Sequence, residues 1–218
     1  MRSNNKIWII ATGLVALLLM LFFLFPMFDK KTADTRYPNA RNDQRSASRT
    51  KSIYILPLGN RLSSSTINNL YFEVKRFLPN AQLLKGVSLP DHAYYRPRNR
   101  YQADTLIAWM SDMTKPNQII LGITGEDIST LKNGEPYYGV MGLGFRPGNA
   151  CVASNFRLSN KGEFWKIAIH ELGHNAGLTH CPVPTCFMRD AEGGNPTRQE
   201  KEFCPACKAK LLKAGWRL

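Results

Sequence analysis

Residues 170–188, HELGHNAGLTHCPVPTCFM, and residues 204–207, CPAC, together hold three of the chain's 4 histidines and four of its 5 cysteines. His170, Glu171, His174, Gly177 and His180 form the pattern HExxHxxGxxH, and Cys181, Cys186, Cys204 and Cys207 make a second set of four that starts at the next residue. Imidazoles and thiolates are the ligands zinc takes, and three nitrogens in one set with four sulfurs in the other match an open and a closed site. Two zinc ions are therefore expected, one catalytic and one structural.

The spacing explains how the first set would work. A helix is expected over residues 161–176, opened by Asn160 with Glu163 three positions on, the order of a capping box. On that helix Trp165, Ala168, Ile169, Leu172 and Ala176 share one face, the one expected to be buried. His170 and His174 are four apart, so they stack one turn above the other on roughly the opposite face. A longer helix would carry the chain away from the metal. Gly177 can take the positive φ of a sharp turn, which lets His180 come back as third ligand.

Three protein ligands leave one tetrahedral position for water, and that water ionises near neutral pH. Glu171, beside the first histidine and off the metal, is the candidate general base for attack on a peptide carbonyl. HExxH alone arises by chance on solvated helix faces, whereas the added glycine, third histidine and adjoining cysteines each answer a separate demand of zinc geometry. The cysteines are separated by gaps of four, seventeen and two residues, a short-long-short order typical of a Cys₄ zinc site. Two disulfides are the other arrangement open to them in an oxidising compartment. Cys151 stands apart in an apolar strand pattern and is expected to be a small buried hydrophobe.

HExxHxxGxxHC, four residues, CxM, seventeen residues and CxxC, as they run here from His170 to Cys207, resemble the archaemetzincin family of the metzincin clan, gap for gap. The segment Pro57, Leu58, Gly59 and residues 94–103 are similar to the family less specifically. The resemblance implies zinc ligation by His170, His174 and His180, base catalysis by Glu171, and a second zinc on the four cysteines. It also places Met188 on the family's Met-turn, the apolar floor of the catalytic zinc. The implied fold is an α/β (α+β) zincin in which a twisted mixed sheet packs on the active-site helix above a small zinc-stabilised C-terminal subdomain. An edge strand would border the cleft and pair with extended substrate, which makes residues 138–143 the candidate for backbone binding, with Tyr138, Gly139, Val140 and Met141 as candidate substrate-binding residues.

The remaining pattern agrees with strands alternating with helices. Residues 53–58, 81–87 and 118–124 have strand character, while Ile67, Leu70, Tyr71, Val74 and Phe77, then Ala103, Leu106, Ile107 and Met110, repeat at helical spacing. Residues 138–145 and 150–156 are expected to form a hairpin through Arg146, Pro147, Gly148 and Asn149. A last helix is expected over residues 199–213.

Residues 7–25 are uncharged and mostly apolar behind Arg2 and Lys6, long enough to span a bilayer. The run exceeds a usual signal core and lacks a small-x-small cleavage site, which favours a transmembrane anchor over a cleaved signal peptide within residues 1–28. Residues 29–51 have the polar, Arg-dotted composition of a flexible linker, leaving residues 52–218 for the catalytic domain, divided at Gly177 into parts 52–177 and 178–218. A membrane-anchored chain with its domain outside the cytoplasm is expected, although Lys30, Lys31, Arg36 and Arg41 oppose that orientation.

The net charge of +13 also admits a nucleic-acid-binding reading, but the basic residues form no basic helix and no aromatic-interleaved RNA motif. A zinc-binding scaffold without proteolysis is the other alternative. Against it, every side chain the chemistry needs is present. The expected partner is thus a peptide or protein substrate, with no nucleic acid.

Overall fold

The computed structural model describes residues 51–218. Strands β1 (Ser52–Leu58), β5 (Gln118–Thr124) and β9 (Ala150–Ser154) run parallel, with short β2 (Gln82–Leu83) parallel to β1. Strand β8 (Gly142–Gly144) closes the five-stranded sheet antiparallel to β9, in the order β2-β1-β5-β9-β8. A second sheet of four strands has the order β3 (Tyr94–Tyr95), β4 (Arg100–Gln102), β6 (Ile128–Lys132) and β7 (Glu135–Val140).

Because side chains alternate across a strand, the parallel strands are apolar on both faces and are covered on both. Ile53, Ile55, Leu121, Ile123, Cys151 and Ala153 face helices α1 (Ser64–Phe77) and α3 (Phe164–Asn175), meeting Leu70, Val74, Ala168, Ile169 and Leu172. Leu56, Leu58, Ile120, Ala150 and Val152 face α2 (Ala103–Ser111) through Leu106, Ile107 and Met110. The mixed α/β architecture is the one expected, though built from two sheets. Cys151 is buried in the first layer, as its apolar neighbours suggested.

Several local expectations are corrected. The helix expected over residues 161–176 begins with a 3₁₀ turn at Lys161–Glu163 and becomes α-helical only over Phe164–Asn175. Asn160 caps by accepting from the Gly162 N–H, but Glu163 makes no capping box, since its carboxylate accepts from the Thr197 hydroxyl at 2.7 Å. Ala168, Ile169 and Leu172 are buried as expected, whereas Trp165 and Ala176 are only partly so. Phe164, Ile167, Gly173 and Asn175 are buried too, because α3 is covered on several sides.

Of residues 81–87 only Gln82–Leu83 form a strand, followed by a single bridge from Val87 to Leu58. Residues 138–145 are not one strand. The chain leaves the second sheet at Val140 and enters the first at Gly142, so β7 pairs with β6 while β8 makes the expected hairpin with β9. The last helix, α4, is Pro205–Lys213. Pro205 occupies its first turn, where a missing N–H costs nothing, and residues 199–204 are not helical.

The anchor and all of the linker but Lys51 lie outside the described residues. The membrane-anchored, extracytoplasmic location is corrected: no helix among the described residues is long and apolar enough to cross a membrane, so the fold supplies nothing to support it.

Candidate metal centre and active site

Helix α3 supplies His170 and His174, and the chain then turns at Gly177, whose φ of 95° is the left-handed geometry that glycine tolerates. Each histidine is oriented by an oxygen at Nδ1. His170 donates to the Phe187 carbonyl at 2.7 Å, His174 to the Leu178 carbonyl at 2.8 Å, and His180 to the Asp190 carboxylate at 3.1 Å. With Nδ1 carrying the proton, Nε2 presents a lone pair on all three rings.

Those Nε2 atoms converge, 3.1 Å apart between His170 and His174 and 3.3 Å between His174 and His180. Three lone pairs so close repel unless a cation lies between them. Tetrahedral zinc with Zn–N bonds of about 2.05 Å would set its nitrogens roughly 3.3 Å apart, so the donor set fits zinc. Burial pushes the His170 pKa down to about 3, helped by neighbouring His174, and burial lowers that of His174 as well. Both rings are thus held neutral, the form that binds metal. Asp190 is pulled below the usual carboxylate range chiefly by the N–H of Glu192, and His180 adds to this.

Glu171 is 6 % exposed and lines a cavity of about 860 Å³ with the three histidines. Its carboxylate has no hydrogen-bond partner among the described residues, and burial alone pushes its pKa up to about 8. A nearby dication would oppose that rise by favouring the ionised form. The site thus places an unpaired carboxylate beside three imidazoles that could hold a cation.

The four cysteines lie together as free thiols, with all sulfurs within 4.8 Å of one another. Cys181 Sγ and Cys204 Sγ are 3.6 Å apart. That is far longer than a disulfide bond and close to the roughly 3.8 Å edge of a zinc tetrathiolate. The N–H of Cys204 donates to Cys186 Sγ at 3.3 Å. Burial works against ionisation of Cys204, but the Cys207 N–H and the neighbouring thiols outweigh it and bring its pKa to about 7. The cluster joins the strand-like bridges Cys181 to Arg189 and Cys186 to Glu202 to the start of α4.

A family model described as peptidase family M54 matches residues 60–213. The chain belongs to peptidase family M54. It is 31% identical over 163 residues to the archaemetzincin of Methanopyrus kandleri, covering 70% of this chain and 91% of that protein. The archaemetzincin of Archaeoglobus fulgidus is 30% identical over 167 residues, 73% of this chain and 98% of its own length. The crystal structure of the Methanopyrus protein superposes with a TM-score of 0.65 at 26% identity, over 77% of this chain and 97% of that one. The Archaeoglobus crystal structure, a complex with malonate, gives 0.60 at 29% identity, over 72% and 98%. This M54 chain is accordingly a zinc metallopeptidase, a hydrolase acting on peptides or proteins, with the mixed α/β fold of the archaemetzincins.

Tyr138, Gly139, Val140 and Met141 all line the cavity, as do Gly142, Leu143 and Gly144 of β8. The contact of β8 with Glu171 was not read from the sequence. A Cβ at Gly142 would press on the Glu171 carboxylate, 2.7 Å from Cγ and 2.8 Å from Cδ, and one at Gly144 would lie 2.7 Å from the Glu171 carbonyl oxygen. Both glycines let this edge strand lie directly against α3. Met188 is fully buried beneath the helix, and Gly173 makes room for it, since a Cβ there would come 2.5 Å from Met188 Sδ. The Gly142-Leu-Gly144 alternation and the glycine inside HELGH were visible signals, but neither names the neighbour that requires it.

Proposed function

We propose that His170, His174 and His180 hold the catalytic zinc, that Glu171 is the general base, and that Cys181, Cys186, Cys204 and Cys207 hold a second, structural zinc. The observation that carries this reading is the convergence of three Nε2 lone pairs beside a buried carboxylate with no partner. Zinc, when bound, supplies a Lewis acid that ionises water near neutral pH and stabilises negative charge on a carbonyl oxygen.

Glu171 takes the proton of the attacking water and returns it to the leaving amine. Its burial excludes bulk water that would compete for that proton, and Gly142 confines the carboxylate from above. Phe187, Leu178 and Asp190 hold the three imidazoles in the tautomer that presents Nε2. Met188 packs under the site as an apolar floor. The free edge of β8, with Tyr138, Gly139, Val140 and Met141 leading into it, offers backbone groups to an extended peptide. The cysteine cluster ties the segment after His180 to α4, which fixes the third ligand. Residues 52–177 and 178–218 are the two parts of the catalytic domain, meeting at the Gly177 turn.

Peptide cleavage by the wild type and by Glu171→Ala, compared at equal zinc content, tests the reading. Loss of turnover in the variant with both metals retained is the expected result. Equal cleavage by both proteins would reject Glu171 as the base. Metal analysis should give two zincs per chain, with four thiols that react only after chelation.

A further inference from the structure

Asp127, between β5 and β6, is 7% exposed and receives two guanidiniums. Arg157 binds it side-on, Nε to Oδ1 at 2.7 Å and Nη2 to Oδ2 at 2.8 Å, while Arg100 Nε reaches Oδ2 at 2.7 Å and its Nη1 donates to the Tyr137 carbonyl at 2.8 Å. One carboxylate neutralises one arginine, so the cluster keeps a surplus positive charge. Each guanidinium has five N–H donors, and the contacts above use two on each. Pinning the turn at Asp127 would need only one of them.

Arg100 and Arg157 line the same cavity as His170 and Glu171, with Arg98 and Lys132 adding positive charge and Glu135 opposing it. The Arg157 head lies against the backbone of Gly139, where a Cβ would come 2.8 Å from Nε and closer still to Cζ and Nη2. Gly139 is thus the clearance that lets a fixed guanidinium lie along the strand. Three residues further on, Gly142 touches the Glu171 carboxylate. Three residues of chain span at most about 10 Å, the reach of about three residues of an extended substrate.

We propose that Arg157, locked by Asp127 and backed by Arg100, is a specificity residue that receives a carboxylate of the bound peptide within about three residues of the bond that is cut. The inference rests on the peptidase reading of the cavity. The carboxylate has two sources, the side chain of an aspartate or glutamate and the C-terminus of the peptide. A guanidinium held in place by a buried acid meets either without first losing its own rotamer freedom.

The test uses the zinc-loaded full chain and a peptide series with Glu or Gln at each of three positions on either side of the cut, each with a free or amidated C-terminus. The wild type is expected to favour the carboxylate at one position by about 10- to 100-fold in kcat/KM, the scale of a charge-assisted bidentate contact. Arg157→Lys keeps the charge but loses the planar fork, and Gly139→Ala pushes the guanidinium off the strand. Each should bring the ratio down to about one to three, because the ratio is internal to each protein and cancels any inactive fraction. Loss on exchange of Glu for Gln assigns a side chain and loss on amidation assigns the C-terminus; both support the site. A wild type that discriminates at no position, or a ratio that survives in Arg157→Lys, overturns it. Calorimetric binding of the same peptides to Glu171→Ala reads the ratio without turnover. Absence of all cleavage would therefore reject the peptidase chemistry while still leaving Arg157 to be judged by binding.

Discussion

Replacing Gly142 by alanine should remove activity without unfolding the protein. The added Cβ would stand 2.7 Å from Cγ and 2.8 Å from Cδ of Glu171 and closer to Oε1, where ordinary contact begins at 3.4 Å. Cγ and Cδ must retreat by about 0.6–0.7 Å and Oε1, the oxygen proposed to handle the proton, by roughly 1 Å. A misplacement of about 1 Å costs on the order of 100-fold in rate, near 2.7 kcal/mol of barrier. The atoms displaced belong to the end of a side chain in a cavity, so the sheet and the metal ligands should stay in place. Steady-state cleavage of a peptide, with zinc content and the thermal midpoint measured on the same sample, checks this. Activity within threefold of wild type would refute the idea that β8 confines the base, and so would a loss of zinc equal to the loss of activity. Gly144→Ala is the control, because its Cβ would meet the Glu171 backbone oxygen at 2.7 Å, and backbone cannot yield so cheaply. That variant should lose stability first.

Cys207→Ser should lower the thermal midpoint by about 10 °C and strip one zinc while leaving the other, since a metal bound only by the folded chain contributes directly to stability; unchanged stability by calorimetry would deny the cluster a structural role. Met188→Ala should cost about 2–5 kcal/mol, because the side chain is fully buried under α3, and a urea midpoint unchanged from wild type would show that the floor repacks. Glu200, 4 % exposed, has its pKa pushed by burial from 4.5 up to about 7, against the pull of Lys166. Folded protein thus holds a proton there that the unfolded chain releases, so this contribution is complete below about pH 4.5 and is lost as pH rises to about 7. Glu200→Gln should therefore gain on the wild type across that window and level off above it, and a difference in urea midpoint independent of pH would contradict the shift.

The convergence of the three imidazoles was legible because it depends on spacing along one element. A helix sets residues four apart on one face, and a glycine stops it, so His170, His174, Gly177 and His180 specify the triad before any fold is known. The strands and helices with clean periods, 53–58, 118–124 and the runs around Leu70 and Leu106, were legible for the same local reason. Strand β6 was not read, because ISTLK is only half apolar and half exposed. Glu163 seemed a cap because its nearest backbone donor is local, yet it was taken by Thr197, 34 positions away.

By itself the sequence determined the candidate donor groups, their order and the family, since residue type and helical pitch are properties of short segments. Only the tertiary structure decided what surrounds them. Asp190, Phe187 and Leu178 orient the rings, Gly142 presses on Glu171, and Asp127 gathers Arg100 and Arg157 from either side of it in the chain. The chain crosses from one sheet to the other at Met141, which splits the segment expected as a single edge strand. These neighbours are set by packing between distant elements. The periodicity of a single segment carries no record of which backbone will lie against it.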